Sequence, residues 1–401
     1  MSRSPSPARM LVLATAGFAI CFWAWALLSP LGPTLRTELS LTSFQQSLCV
    51  ALPVVVGSLG RIPVGALTDR FGARHMFPAV AALTIVPVLY LGHAADSLPE
   101  VLLGGFFLGL GGTTFAIGVP CVNAWYPPAR RGLALGVFGT GMGGTALSSF
   151  STVQLTEHVS RSFPFDLVAV VLAVYAVLAR LLLRDAPGRV RATGSLYART
   201  LATLRLPATG RLALLYAVAF GGFVAFSVYL PTYLTTAHGL TRSDAALRTA
   251  GFVVLAVAMR PVGGWLSDRT HPVPVLTGAF AAVTALALLA AAEPGLRPFG
   301  TLAFLGLAAA LGTATGAVFA LVARLVPADR VGAVTGLVGA AGGLGGFFPP
   351  LVMGTIRSAA HSYTWGYVLL AATAAAAGVF TATTVRGADS GGPAGRDSQD
   401  P

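Results

Sequence analysis

The sequence predicts an all-α polytopic membrane protein with twelve transmembrane helices arranged as two repeated six-helix halves. Three observations predict it: an apolar composition, twelve apolar runs of spanning length, and a set of motifs that recurs 200 residues later. Of 401 residues, 55% are hydrophobic and 10% charged, against roughly 25% charged in a soluble domain. That deficit excludes an ordinary soluble enzyme. The net charge of +12 does not imply nucleic acid, because the arginines sit in short gaps between apolar runs and form no basic groove on a soluble face. All 26 basic residues are Arg. Cys21, Cys49 and Cys121 lie singly inside apolar runs, without metal-type spacing or a disulfide framework.

A bilayer core about 30 Å thick needs roughly 20 apolar residues per helix. On that length the first half has spans at approximately Met10 to Leu31, Phe44 to Leu67, Met76 to Ala94, Val101 to Trp125, Leu133 to Leu155 and Phe165 to Leu183. The second half has them at approximately Leu212 to Leu234, Ala245 to Leu266, Val273 to Ala292, Phe299 to Leu321, Val331 to Ile356 and Trp365 to Val385. The first run exceeds a signal-peptide core and is followed by eleven more, so it is expected to be retained. The domains expected are residues 1–183, a polar Arg-rich linker at 184–210, residues 211–385, and a tail at 386–401 too polar to fold.

Short cytoplasmic loops collect positive charge. With both termini inside, 18 arginines fall on the cytoplasmic side and six on the other. The expected placement is therefore an inner-membrane protein, embedded in lipid, with cytoplasmic termini.

The internal repeat carries chemistry. Arg61-Ile-Pro-Val-Gly-Ala-Leu-Thr-Asp69-Arg70 in span 2 parallels Arg260-Pro-Val-Gly-Gly-Trp-Leu-Ser-Asp268-Arg269 in span 8, with Arg eight residues before Asp in both. Gly112, Thr113, Pro127, Gly132, Gly136 and Gly139 recur as Gly312, Thr313, Pro327, Gly332, Gly336 and Gly339. The motif Gly65-x-x-x-Asp69-Arg70-x-Gly72-x-Arg74 resembles the loop signature of the major facilitator superfamily, with a reduced copy at Gly264-x-x-x-Asp268-Arg269. The resemblance implies two parallel-repeat halves with the substrate between them near the midplane. Asp69, Arg70, Arg74, Asp268 and Arg269 are the expected charge clamp that holds one gate state; a plain topology signal is the alternative.

Eight helical residues place Arg61 about 12 Å deeper than Asp69, and half the core is about 15 Å, so Arg61 and Arg260 lie near the midplane. Burying such a charge costs at least ~2.5 kcal/mol, and no Asp or Glu lies deep inside a span to offset it. Two unpaired guanidinium groups call for a mobile anion. Their planar fork suits planar oxyanions that present two oxygens together, nitrate, nitrite and carboxylates; a porter for another small anion, cyanate or a small carboxylate, is the alternative. An enzyme would need a nucleophile, base or metal set, yet all six His fall at span ends or loops and no buried carboxylate pair exists. No cofactor is expected, and a sensor, which would be expected to carry an added cytoplasmic domain, is not the favoured reading.

Span 5 reads GLALGVFGTGMGGTA and span 11 GAVTGLVGAAGGLGGFFPP. Close helix packing alone would explain such glycines, and the contacts expected are Gly136, Gly139, Gly141, Gly336, Gly339, Gly342 and Gly343. Both strings, together with GLGGTTFAIGVPCVNAWYPPARR and GTATGAVFALVARLVPADR, are similar to signatures of the nitrate/nitrite porter family. The resemblance spans nearly all twelve helices. It implies a secondary transporter, not an enzyme, that binds nitrate or nitrite through Arg61 and Arg260 and through the aromatic residues Phe115, Tyr216 and Phe220. Exchange or proton-coupled uptake by a monomer is then expected. The sequence departs from the family in carrying Met142 and Thr315 where an Asn is common, which leaves the preferred oxyanion open.

Overall fold

The computed structural model describes residues 6–187, 206–326 and 331–385. It is helical throughout the spans of those residues, and the expected boundaries fall within about seven residues of the helix ends, the largest difference being span 1, expected to end at Leu31 and helical to Glu38. Span 1 consists of Pro7–Trp25 and Leu28–Glu38, span 2 of Ser43–Leu59 and Arg61–Phe71, and span 3 of Ala73–His93. Span 4 joins Leu98–Leu108 to Phe115–Trp125 through a 3₁₀ segment, Gly109–Thr114, and span 5 joins Pro128–Gly139 to Gly144–His158 through Thr140–Gly143. Span 6 is Phe163–Leu182. The second half has spans 7 (Pro207–His238), 8 (Arg242–Arg269), 9 (Pro272–Ala291) and 10 (Thr301–Leu325). Span 11 is Val331–Gly345 with Phe348–Ala360, and span 12 is Thr364–Phe380.

Among the described residues, eleven helical runs are long and apolar enough to cross a membrane, six of them in the second half. Spans 7 and 8 run to 32 and 28 residues, longer than their apolar cores. Their polar ends are helical because they are capped: Gly239 closes span 7 in the left-handed conformation, and the Thr241 side chain accepts the Asp244 N–H to open span 8. A capping box between Thr42 and Gln45 opens span 2 in the same way.

Within the first half, span 3 packs on span 6 and span 1 on span 5; within the second, span 10 packs on spans 8 and 9 and span 9 on span 12. The halves meet through matched pairs, span 5 against span 8 and span 2 against span 11, with span 1 against span 7. Apolar side chains such as Val170, Val174, Val177 and Leu181 on span 6 point outward and stay exposed, as a lipid-facing stripe does. The expected linker falls largely on residues 188–205, and the expected tail on 386–401. Both lie outside the described residues.

The end of the molecule that carries the connections between spans 1 and 2 and between spans 7 and 8 is called the far end below. There the halves are joined by hydrogen bonds. The Ser29 hydroxyl donates to the carbonyls of Ser227 and Val228, both at 2.9 Å. Gln46 Nε2 donates to Thr232 Oγ1 at 2.9 Å, Arg242 reaches Thr37, and Gln154 reaches Ser243. A Cβ on Gly354 would lie 2.1 Å from Ser47 Oγ, so glycine there lets spans 2 and 11 touch.

Candidate anion site at the centre of the bundle

Each expected site residue stands where a helix is interrupted or two spans cross. Arg61 begins the second helix of span 2, just after Gly60, and is 6% exposed. Its Nε donates to the Gly112 carbonyl in span 4 at 3.3 Å, and its Nη1 to the Gly339 carbonyl in span 11 of the other half. Arg260, partly exposed in span 8, donates through Nη2 to the Tyr216 hydroxyl at 3.2 Å, while Nη1 meets the Met142 thioether of span 5. The two guanidinium groups share an aromatic floor. Arg61 Cζ lies 5.9 Å and Arg260 Cζ 5.6 Å from the centroid of Phe220, distances at which a ring face attracts a cation.

The aromatic walls follow from helical spacing. Tyr216 and Phe220, four residues apart in span 7, stack with centroids 4.9 Å apart and planes within 9°. Phe115 opens the second helix of span 4, 5.3 Å from Arg61 Cζ, and is backed by Phe18 and Phe138. The structure thus brings Arg61, Arg260, Phe115, Tyr216 and Phe220 around one point between the halves. The ion pairs of the described residues, His93–Asp166, Arg161 with Glu38 and Asp96, and Arg248–Asp244, lie at span ends and include neither central arginine.

Two expectations need correction. The central arginines were expected as charges without acidic partners; among the described residues they have none, but they are not free, since carbonyl oxygens, a phenol and a thioether hold them. Neutral acceptors of this kind orient a guanidinium without cancelling its charge, so the demand for an anion persists. The second correction concerns glycines. A Cβ on Gly136, Gly139 or Gly336 would meet nothing within 4 Å among the described residues, so these three make no close helix contact there in this conformation. On Gly342 it would lie 2.2 Å from the Tyr216 ring, on Gly339 3.0 Å from Phe115, on Gly343 2.2 Å from Ser58 Oγ, and on Gly141 2.6 Å from Phe18. Gly339, Gly342 and Gly343 form a flat wall on span 11 that admits Tyr216, Phe115 and the Arg61 head.

At the other end of spans 2 and 8, Arg70 lies over Phe71 and Arg269 over Trp265, each on its own helix. The Arg74 N–H donates to Asp185 Oδ1 at 3.3 Å, which ties span 3 to the end of span 6. Asp69 and Asp268 sit beside these arginines in sequence, at the helix ends.

Sequence reasoning missed two residues of the site's surroundings. Phe319 of span 10 packs edge-on to Tyr216 at 4.9 Å, and Ser58 faces Gly343. A lone aromatic or serine in an apolar run carries no signal of what it faces. Met142, where the signatures depart, touches Arg260. Thr315, the other position where the signatures depart, spends its hydroxyl on the Leu311 carbonyl of its own helix at 2.7 Å. No group of His, Cys, Asp and Glu able to hold a metal occurs among the described residues.

Fold and site together define a two-bundle membrane carrier with a cationic, aromatic-walled centre. The Major Facilitator Superfamily model matches residues 14–350 and again 212–399. The probable nitrate/nitrite transporter NarK2 of Mycobacterium tuberculosis (strain H37Rv) is 50% identical over 379 residues, covering 94% of this chain and 96% of its own. The nitrite extrusion protein of Bacillus subtilis (strain 168) is 38% identical, with 88% and 89% covered. The probable nitrate/nitrite antiporter NarK1 of Thermus thermophilus is 34% identical, with 86% and 85% covered. Among solved structures, a bacterial homologue of the lysosomal transporter Spinster in an inward-facing, occupied conformation superposes with a TM-score of 0.73 at 18% identity. It covers 96% of this chain and 98% of that one, and at that identity it shows the fold alone. The chain belongs to the major facilitator superfamily and, within it, to the nitrate/nitrite porters.

Proposed function

We propose that this chain moves nitrate and nitrite across the cytoplasmic membrane by alternating access, with Arg61 and Arg260 as the paired anion ligands. The observation that carries this reading is that two guanidinium groups from opposite halves lie over one ring, Phe220, with no carboxylate among the described residues ion-paired to either. A planar oxyanion accepts from both forks, and Phe115, Tyr216 and Phe220 exclude water, which strengthens those hydrogen bonds. The anion thereby cross-links the halves and favours closure around itself. Asp69, Arg70, Arg74, Asp268 and Arg269 bias the gate at the near end. Residues 1–183 and 211–385 move as units, joined by 184–210.

The protein works as a monomer in the inner membrane with both termini cytoplasmic. Exchange of nitrate for nitrite is favoured over proton symport, since no intramembrane carboxylate stands beside the arginines to carry a proton. The test is uptake of labelled nitrate into proteoliposomes loaded with nitrite or with buffer alone, with and without a pH gradient, and with cyanate and acetate as competitors. Uptake that requires internal nitrite supports exchange. Uptake driven by the pH gradient into empty vesicles overturns it, and cyanate outcompeting nitrate overturns the substrate reading.

A further inference from the structure

The far end of the bundle holds a contact that helix chemistry makes unusual. Span 7 contains Pro231 inside its helix. Proline has no N–H, so the carbonyl four residues earlier, that of Ser227, loses its helical partner. An orphaned carbonyl in a buried place needs a donor from elsewhere. Ser29 of span 1, 3% exposed, supplies it across the boundary between the halves: its Oγ lies 2.9 Å from the Ser227 carbonyl and 2.9 Å from that of Val228. One turn further along the same seam, Gln46 Nε2 donates to Thr232 Oγ1 at 2.9 Å. Gln46 is 1% exposed, and its Oε1 has no hydrogen-bond partner among the described residues.

We propose that Ser29 is a latch that closes the far mouth by capping the carbonyl that Pro231 frees, and that Gln46 keeps this latch weak enough to open. The two contacts have opposite signs. Ser29 satisfies a carbonyl that the closed seam would otherwise bury unpaired, so the hydroxyl favours closure. Gln46 makes one hydrogen bond but buries an acceptor that water would satisfy once the mouth opened, so its carboxamide favours opening. A transporter must break this seam in every cycle, and a seam of apolar side chains alone would lack a counterweight. The latch depends on alternating access and not on which anion is carried.

The test is a distance measurement on the full-length protein without substrate. Spin labels are placed at the exposed Glu157 and Ala237, which lie at the far ends of spans 5 and 7 in opposite halves. Ser29→Ala should raise the ratio of long-distance to short-distance populations by roughly five- to tenfold, the scale of one lost hydrogen bond with its carbonyl left unpaired. Pro231→Ala restores the missing N–H, so Ser29→Ala should have a markedly smaller effect in that background; this coupling is the signature of the proposed capping. The double variant Gln46→Leu/Thr232→Val removes the hydrogen bond together with the orphaned acceptor and should leave the closed population equal to or above the wild-type level. Equal effects of Ser29→Ala with and without Pro231 would overturn the latch, as would an unchanged distance distribution in Ser29→Ala. A shift toward the open state in Gln46→Leu/Thr232→Val would overturn the role given to Gln46. Since no anion is present, a failed substrate assignment leaves these readings intact.

Discussion

Exchanging Arg61 or Arg260 for Lys separates charge from geometry. Arg61 uses Nε for the Gly112 carbonyl and Nη1 for the Gly339 carbonyl, which leaves Nη2 and the second Nη1 proton for an oxyanion. A lysine ammonium is one point donor on a flexible stem. It cannot span the two carbonyls, one in each half, and still present a fork to the anion. The substitution therefore removes at least one charge-assisted hydrogen bond to substrate, worth about 1.5–3 kcal/mol, or roughly a ten- to hundredfold loss of affinity. For Arg260→Lys the donation to Tyr216 at 3.2 Å is at stake as well, and the expected loss is similar. The assay is concentration-dependent nitrate uptake into proteoliposomes, with thermal unfolding in detergent as the control for folding. Unchanged apparent affinity in both variants, with normal folding, would refute the reasoning that these arginines read the anion through their planar forks.

Phe115→Ala should weaken nitrate binding less than either Lys variant, by under about tenfold, because it removes one cation–π contact and admits water but keeps both charges; the same uptake curves check it. Gly342→Ala puts a methyl 2.2 Å from the Tyr216 ring and should cut uptake sharply, whereas Gly139→Ala, with nothing within 4 Å in this conformation, should leave unliganded thermal stability unchanged. Glu293, between spans 9 and 10, is pushed up by burial but pulled below its ordinary value by the Ser362 and Thr364 hydroxyls and the Tyr363 and Thr364 N–H groups. A depressed carboxylate stabilises the fold above its unfolded value of about 4.3 and loses that contribution as pH falls through its folded value. Glu293→Gln should accordingly lower the unfolding temperature at neutral pH, with the difference shrinking below about pH 4; a difference that grows in acid contradicts the assignment.

Near-midplane depth for Arg61 and Arg260 could be inferred from the sequence because both precede a helix-end Asp by eight residues, and helical rise converts that count into depth. The pairing of Tyr216 with Phe220 was legible for the same reason, since residues four apart share a face. The twelve spans followed from length and hydropathy, which bilayer thickness fixes without reference to packing. What a side chain meets across a boundary is set by the angle and distance between helices, and no local pattern encodes those. Identical-looking glycines illustrate this. Gly339 and Gly342 press on Phe115 and Tyr216, while Gly136 and Gly139 in the repeat-related helix face open space. The acceptors on Arg61 and Arg260, the edge-on Phe319 and the meeting of Ser29 with the Ser227 carbonyl belong to the same category. Sequence alone determined which runs are apolar and long enough to span a membrane and where along them the two arginines stand relative to the helix-end aspartates, because rise per residue and apolar length are local quantities. The tertiary structure decided which of them touch, because contact between the halves depends on the rigid-body placement of two bundles.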